Sequence, residues 1–232
     1  MKAYIAGKPI LSTTDWPSSV CCVVFFTGCN LRCKFCFNGP LLEFDEQYLV
    51  DLERVYKELD EHRYLIDGIL VTGGEPTLQP DALHAIGEWT HQHNLKFGTM
   101  TNGTKPAVLL QLLDANLLDY VAVDIKTIPN EKEYAHITQT KHEILPAINE
   151  TIALLKSSKI NYEFRTTLVP SLIDKIPQLE KILKWIGKKN YVLQNFRPTD
   201  TVLDPSLKTA FSVEELDQFR QFAKKKRLIT RF

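Results

Sequence analysis

From Val20 to Asn195 the chain alternates short β-rich runs with stretches of helical periodicity, and no hairpin signal joins any two of the runs. That pattern constrains the fold more than any other feature, because strands separated by helices pair in parallel through right-handed crossovers. The first run is Val20-Cys21-Cys22-Val23-Val24-Phe25-Phe26. Leu49, Leu52, Tyr56 and Leu59 then predict an amphipathic helix over about residues 45 to 63. Strands follow at Asp67–Thr72, Lys96–Thr101, Tyr120–Asp124, Tyr162–Leu168 and Tyr191–Asn195. Between them lie helices marked by Ala82, Leu83, Ile86 and Trp89, by an opening near Thr104 and Pro106, by Leu145, Ile148, Ile152 and Leu155, and by Leu179 to Trp185. A last helix starts at Ser212, which has Glu215 in capping-box spacing.

The expected class is therefore α/β, a partial (β/α)6 barrel of parallel strands. A full eight-unit barrel typically needs ~250 residues, and this chain of 232 supplies fewer units plus an N-terminal extension. No repeat, low-complexity segment or long linker divides it, so residues 1–232 read as one domain with its core at about 18–200. In such folds the active groups sit at the C-terminal ends of the strands. The distinctive polar residues of this chain fall at those ends.

Lys plus Arg and Asp plus Glu both number 28, so no global basic field exists to gather nucleic acid. The run Lys224-Lys225-Lys226-Arg227 ends a predicted helix, where cations complement the macrodipole. The longest apolar run is far shorter than the ~20 residues that span a bilayer, and the start of the chain lacks the uninterrupted apolar stretch of a signal peptide. Five cysteines, three of them on one loop, fit a reducing cytoplasm better than a disulfide framework. Cys21 and Cys22 point to opposite faces of a strand and read as core.

The three loop thiols are Cys29, Cys33 and Cys36, at CxxxCxxC spacing directly after the first strand. Three thiolates can hold three irons of a cubane cluster and leave the fourth open for chemistry. A structural zinc site would want a fourth ligand nearby, and the six histidines, at 62, 84, 91, 93, 136 and 142, show no paired ligand spacing. After the second strand, Gly73-Gly74-Glu75-Pro76 puts flexible backbone on an exposed edge, as either a plain turn or a place of close ligand approach. Asp124 and Lys126 share one face of a strand end, as a solvated ion pair or as ligand contacts. Arg165 lies within an apolar strand pattern and needs a partner there, either a nearby acid or an anionic ligand.

With Phe35 before the last cysteine, the loop resembles the radical S-adenosylmethionine (radical SAM) enzymes, whose motif is CxxxCxΦC. The resemblance implies that Cys29, Cys33 and Cys36 bind a [4Fe-4S] cluster whose open iron is chelated by SAM. It also implies that Gly73, Gly74 and Glu75 engage the SAM amino group and that Asp124 and Lys126 lie beside its carboxylate and ribose; the same carboxylate would serve as the anionic ligand for Arg165, the salt bridge being the other option. Thr101 and Asn102 of the TNGT segment join these cofactor contacts. With Asn38 and the late YVLQNFRP segment, the chain resembles one branch in particular, the activating proteins of anaerobic ribonucleoside-triphosphate reductases. There a reduced cluster cleaves SAM to methionine and a deoxyadenosyl radical, which takes hydrogen from a glycine of the reductase. A flavodoxin or ferredoxin-type donor would supply the electron. Met100 stands where relatives often place an acid, and Phe37 where many carry His. The alternative is a radical SAM enzyme of a small molecule, similar to the carboxy-deazaguanine synthases, which share the short core and the GGEP-type turn.

Overall fold

The computed structural model describes Met1–Phe232, built around one nine-stranded sheet. In chain order the elements are β1 (Lys2–Ser12), β2 (Cys21–Phe26), β3 (Leu49–Asp51), α1 (Leu52–Asp60), β4 (Gly68–Gly73), α2 (Pro80–Gln92), β5 (Lys96–Thr101) and α3 (Pro106–Asp114). They continue with β6 (Tyr120–Asp124), α4 (Glu131–Thr138), α5 (Leu145–Ser157), β7 (Asn161–Leu168), α6 (Ile176–Ile186), β8 (Tyr191–Asn195), α7 (Val213–Lys226) and β9 (Ile229–Arg231). The spatial order is β3-β1-β2-β4-β5-β6-β7-β8-β9. Every pair from β2 to β9 is parallel, as the alternation predicts. The two edges, β3 and β9, do not meet, so the barrel is partial.

Side-chain alternation splits the core into two layers. Along β2, Cys22, Val24 and Phe26 join the large cluster beneath the helices, whereas Cys21 and Val23 join a small cluster with Trp16, Leu70, Tyr120 and Ala122 on the inner face. The adjacent cysteines thus face opposite ways and are both fully buried, as a core reading requires. Trp16 plugs the inner face. Its ring stacks on Tyr120 with centroids 5.1 Å apart and lies against Gly68 and Gly98, where an added Cβ would come within 3.0 Å of it. The hollow above this plug is left for the site.

One expectation is corrected and two features are added. The helix expected over 45 to 63 begins only at Leu52. Asp45 caps a 3-10 turn at Glu46–Tyr48, Leu49–Asp51 pairs with β1, and the Asp51 carboxylate then accepts from Glu53 N–H to start α1. Short acidic side chains bonding local backbone interrupt a pattern that apolar spacing alone reads as continuous. Before the alternating region, the N-terminal extension forms β1, which runs antiparallel to β2 with a register shift between Ala6 and Ile10 near Gly7 and Pro9. Helix α4 was not expected, although Asn130 caps it through Glu133 N–H at 3.1 Å.

Candidate active site

The loop after β2 is held by main-chain bonds from three directions. Gly28 and Cys29 N–H donate to the carbonyls of Leu41 and Leu42, at 2.9 and 3.0 Å. Arg32 and Lys34 N–H donate to the Thr138 and Ile137 carbonyls at the end of α4, at 2.8 and 3.0 Å. The Cys36 and Lys34 carbonyls accept from Leu203 and Asp204, each at 2.9 Å. The Arg32 guanidinium folds back onto the Cys29 carbonyl at 2.7 Å. A loop this tethered presents its thiols in a fixed arrangement. Cys33 is buried, and Cys29 and Cys36 are half-buried.

All the residues singled out from the sequence line one cavity of about 460 Å³: the three cysteines, Phe35, Gly73, Gly74, Glu75, Thr101, Asn102, Asp124, Lys126 and Arg165. Burial pushes the Cys29 thiol up to about 11 and Cys33 up to about 12, and it also raises Cys36. Lys126 pulls all three back. Without metal the thiols are protonated at neutral pH, so loading the site must release protons. No three His, Cys, Asp or Glu side chains converge on a single ion position. The three thiols line the same cavity, and three thiolates are the donor set of a cubane in which each takes a different iron.

The Gly73-Gly74-Glu75 turn touches the cysteine loop itself. Gly74 and Glu75 N–H donate to the Phe26 and Gly28 carbonyls, both at 2.8 Å, and Asn38 Nδ2 donates to the Gly73 carbonyl at 3.0 Å. A Cβ on Gly73 would lie 2.1 Å from Phe26 O, and one on Gly74 would lie 2.2 Å from Gly28 O. The glycines are therefore required first by the packing of the two loops, each of which lines the cavity.

The Glu75 carboxylate, which also lines the cavity, is bonded on both oxygens by the protein's own donors. The residue is 1% exposed. Oε1 accepts from Thr77 N–H and from the Thr77 and Thr101 hydroxyls, and Oε2 accepts from Asn102 N–H at 2.7 Å. The acid thus ties the end of β4 to the end of β5. Asn102 extends the tie to the cysteine loop, donating to Asn30 Oδ1 at 2.9 Å, while Asn30 donates to the Thr104 hydroxyl at 2.8 Å.

Lys126 Nζ donates to Asp124 Oδ2 at 2.7 Å and lies 5.8 Å from the centre of the Phe35 ring. Burial acts to neutralise the ammonium, but the paired Asp124 carboxylate outweighs it and raises Lys126, which stays charged beside the cysteines.

Arg165 takes the acid-paired option left open by the sequence: Nε donates to Glu163 Oε2 at 3.0 Å. Sequence reading gave no site role to Glu163 or to the lining residues Asp15, Gln194, Asn195 and Arg197, although the last three lie in the YVLQNFRP segment. The one available signal for Glu163 was its position two residues before Arg165, on the same face of β7.

The family described as the Radical SAM superfamily matches residues 23–186. A protein of Methanocaldococcus jannaschii, named as a candidate glycyl-radical enzyme activating enzyme, is 33% identical over 97% of this chain and 93% of its own length. The pyruvate formate-lyase-activating enzyme of Listeria monocytogenes is 26% identical over 76% of this chain and 73% of its own. In fold, the chain is similar to a radical SAM methyltransferase from Sphaerobacter thermophilus, with a TM-score of 0.69, 16% identity, and coverage of 95% of this chain and 67% of that one. No helix is long and apolar enough to cross a membrane. With the family match spanning most of the sequence and a relative one-third identical along nearly all of it, the chain belongs to the radical SAM superfamily, whose enzymes use a [4Fe-4S] cluster and S-adenosylmethionine.

Proposed function

We propose that the protein activates a glycyl-radical enzyme, with an anaerobic ribonucleotide reductase as its target and a flavodoxin or ferredoxin-type protein as its electron donor. The observation that carries this reading is the shared cavity: three thiols of one tethered loop, the Asp124–Lys126 pair and Arg165 line a single space. The names of the M. jannaschii and Listeria relatives support the activating role. The choice of reductase rests on the resemblance of the TNGT and YVLQNFRP segments.

In this reading Cys29, Cys33 and Cys36 hold the cluster, which when bound supplies the single electron that cleaves SAM and yields the radical. The chain's own residues do the rest. Gly73 and Gly74 bring backbone to the cavity without side-chain bulk, and Asn38 fixes the Gly73 carbonyl. Lys126 keeps positive charge beside the thiolates and is held in place by Asp124. Trp16 and Tyr120 close the inner face below, which limits water at the reacting centre.

An anaerobic assay tests the role. Reconstituted protein with SAM and a strong reductant should form deoxyadenosine slowly alone and several-fold faster with the reductase of the same host. Saturable consumption of a small molecule with no protein partner would overturn the activating role in favour of a small-molecule substrate.

A further inference from the structure

Arg165 is 4% exposed and held on nearly every side. A guanidinium has five N–H groups. Nε donates to Glu163 Oε2 at 3.0 Å, and Nη2 donates to the Asp15 carbonyl at 2.9 Å and to the Tyr120 hydroxyl at 2.6 Å. Nη1 meets only the Met100 sulfur, at 3.5 Å, a weak acceptor. One edge of the guanidinium is thus left for whatever occupies the cavity that Arg165 lines.

The geometry depends on Glu163, whose carboxylate is shared by two cations. Oε2 takes Arg165 Nε and the Tyr120 hydroxyl, at 3.0 and 2.9 Å, and Oε1 takes Arg231 Nη2 at 2.6 Å. Arg231 comes from β9, the far edge of the sheet. Its Nη1 is buried without a partner, so Glu163 is its one polar anchor. The Arg231 side chain is half-buried, and an orphaned buried nitrogen opposes stability, while an ion pair on the buried Glu163 is a poor stabiliser compared with apolar packing. Stability alone does not account for the arrangement.

We propose that Arg231 and Glu163 are positioning residues for Arg165: β9 fixes the free edge of the Arg165 guanidinium toward the cavity, where it receives an anionic group of the bound cofactor. The proposal rests on the reading of the cavity as a SAM site. Arg231 touches no ligand itself and acts only through Glu163.

Equilibrium dialysis of SAM against the anaerobically reconstituted protein, with thermal unfolding followed in parallel, tests this. Arg231→Met should weaken SAM binding about tenfold, and Arg231→Lys, which keeps one donor to Glu163, should recover most of the loss. In an Arg165→Met background, adding Arg231→Met should change SAM binding less than about twofold, because coupled residues are not additive. If the two losses multiply, or if Arg231→Lys binds as weakly as Arg231→Met, the positioning role is wrong. If Arg165→Met itself leaves SAM binding unchanged, the reading of the cavity fails at Arg165, and the proposal falls with it. Should Arg231→Met unfold, the Arg231→Lys and Glu163→Gln variants carry the same comparison, with Glu163→Gln expected to match the loss of Arg231→Met.

Discussion

Cys33→Ala protein, reconstituted anaerobically with iron and sulfide, is expected to hold less than about one iron per chain, against about four for the parent. Cys33 is the most buried of the three loop thiols and faces the same cavity as Cys29 and Cys36. A cubane missing one of its three protein thiolates has two anchors and an extra iron open to solvent, so the expected effect is near-total loss. The change itself removes only one sulfur from a loop pinned by main-chain bonds, and it should cost folding roughly 1 kcal/mol. Cys22→Ala provides the control. That thiol is fully buried but belongs to the layer beneath the helices, so its loss should cost similar stability and leave iron content unchanged. Retention of four irons by Cys33→Ala would mean that the ligand assignment is wrong.

Gly74→Ala should be strongly disruptive. The new Cβ would meet Gly28 O at 2.2 Å and Leu41 O at 2.9 Å, and both are backbone atoms that cannot rotate away. Gly28 precedes Cys29 and accepts from Glu75 N–H at 2.8 Å, so relief of the clash displaces the thiol loop or breaks that bond. A cost of about 3 kcal/mol follows, or a fall of about 6–12 °C in melting temperature for a chain of this size, together with lost SAM binding. Gly187→Ala is the matched comparison. Gly187 has φ +79° and ψ 172° with nothing within 4 Å of the added Cβ, so only the backbone penalty of roughly 1–3 kcal/mol applies. Equal melting temperatures for the two variants would contradict a steric role for Gly74.

Much of this was legible in the sequence because it is local. The β-runs of the parallel sheet carry their own periodicity, the thiols sit within one loop, and Asp124 and Lys126 are separated by one residue. Their convergence followed from one rule, that parallel strands deliver their ends to the same side. What sequence reading missed depends on contacts between distant segments. Glu163 meets Arg231 across 68 positions, and Arg165 meets the Asp15 carbonyl across 150, and no spacing announces either. Glu75 illustrates a different limit. Its place in the turn was plain, but its bonds to Thr101 and Asn102 cross from one strand end to another and carry no local signal. Short elements failed for a third reason: β3 and β9 are each three residues long and owe their form to a neighbouring strand rather than to a pattern of their own.

The most direct test of the account is electron paramagnetic resonance on an anaerobic mixture of the reconstituted protein, SAM, a strong reductant and the anaerobic ribonucleotide reductase of the same host, with deoxyadenosine measured in the same tube. The account predicts a glycyl-radical doublet on the reductase, absent when Cys33→Ala protein is used, with deoxyadenosine formed alongside it. Deoxyadenosine without that doublet would contradict the activating role while leaving the chemistry of the cavity intact.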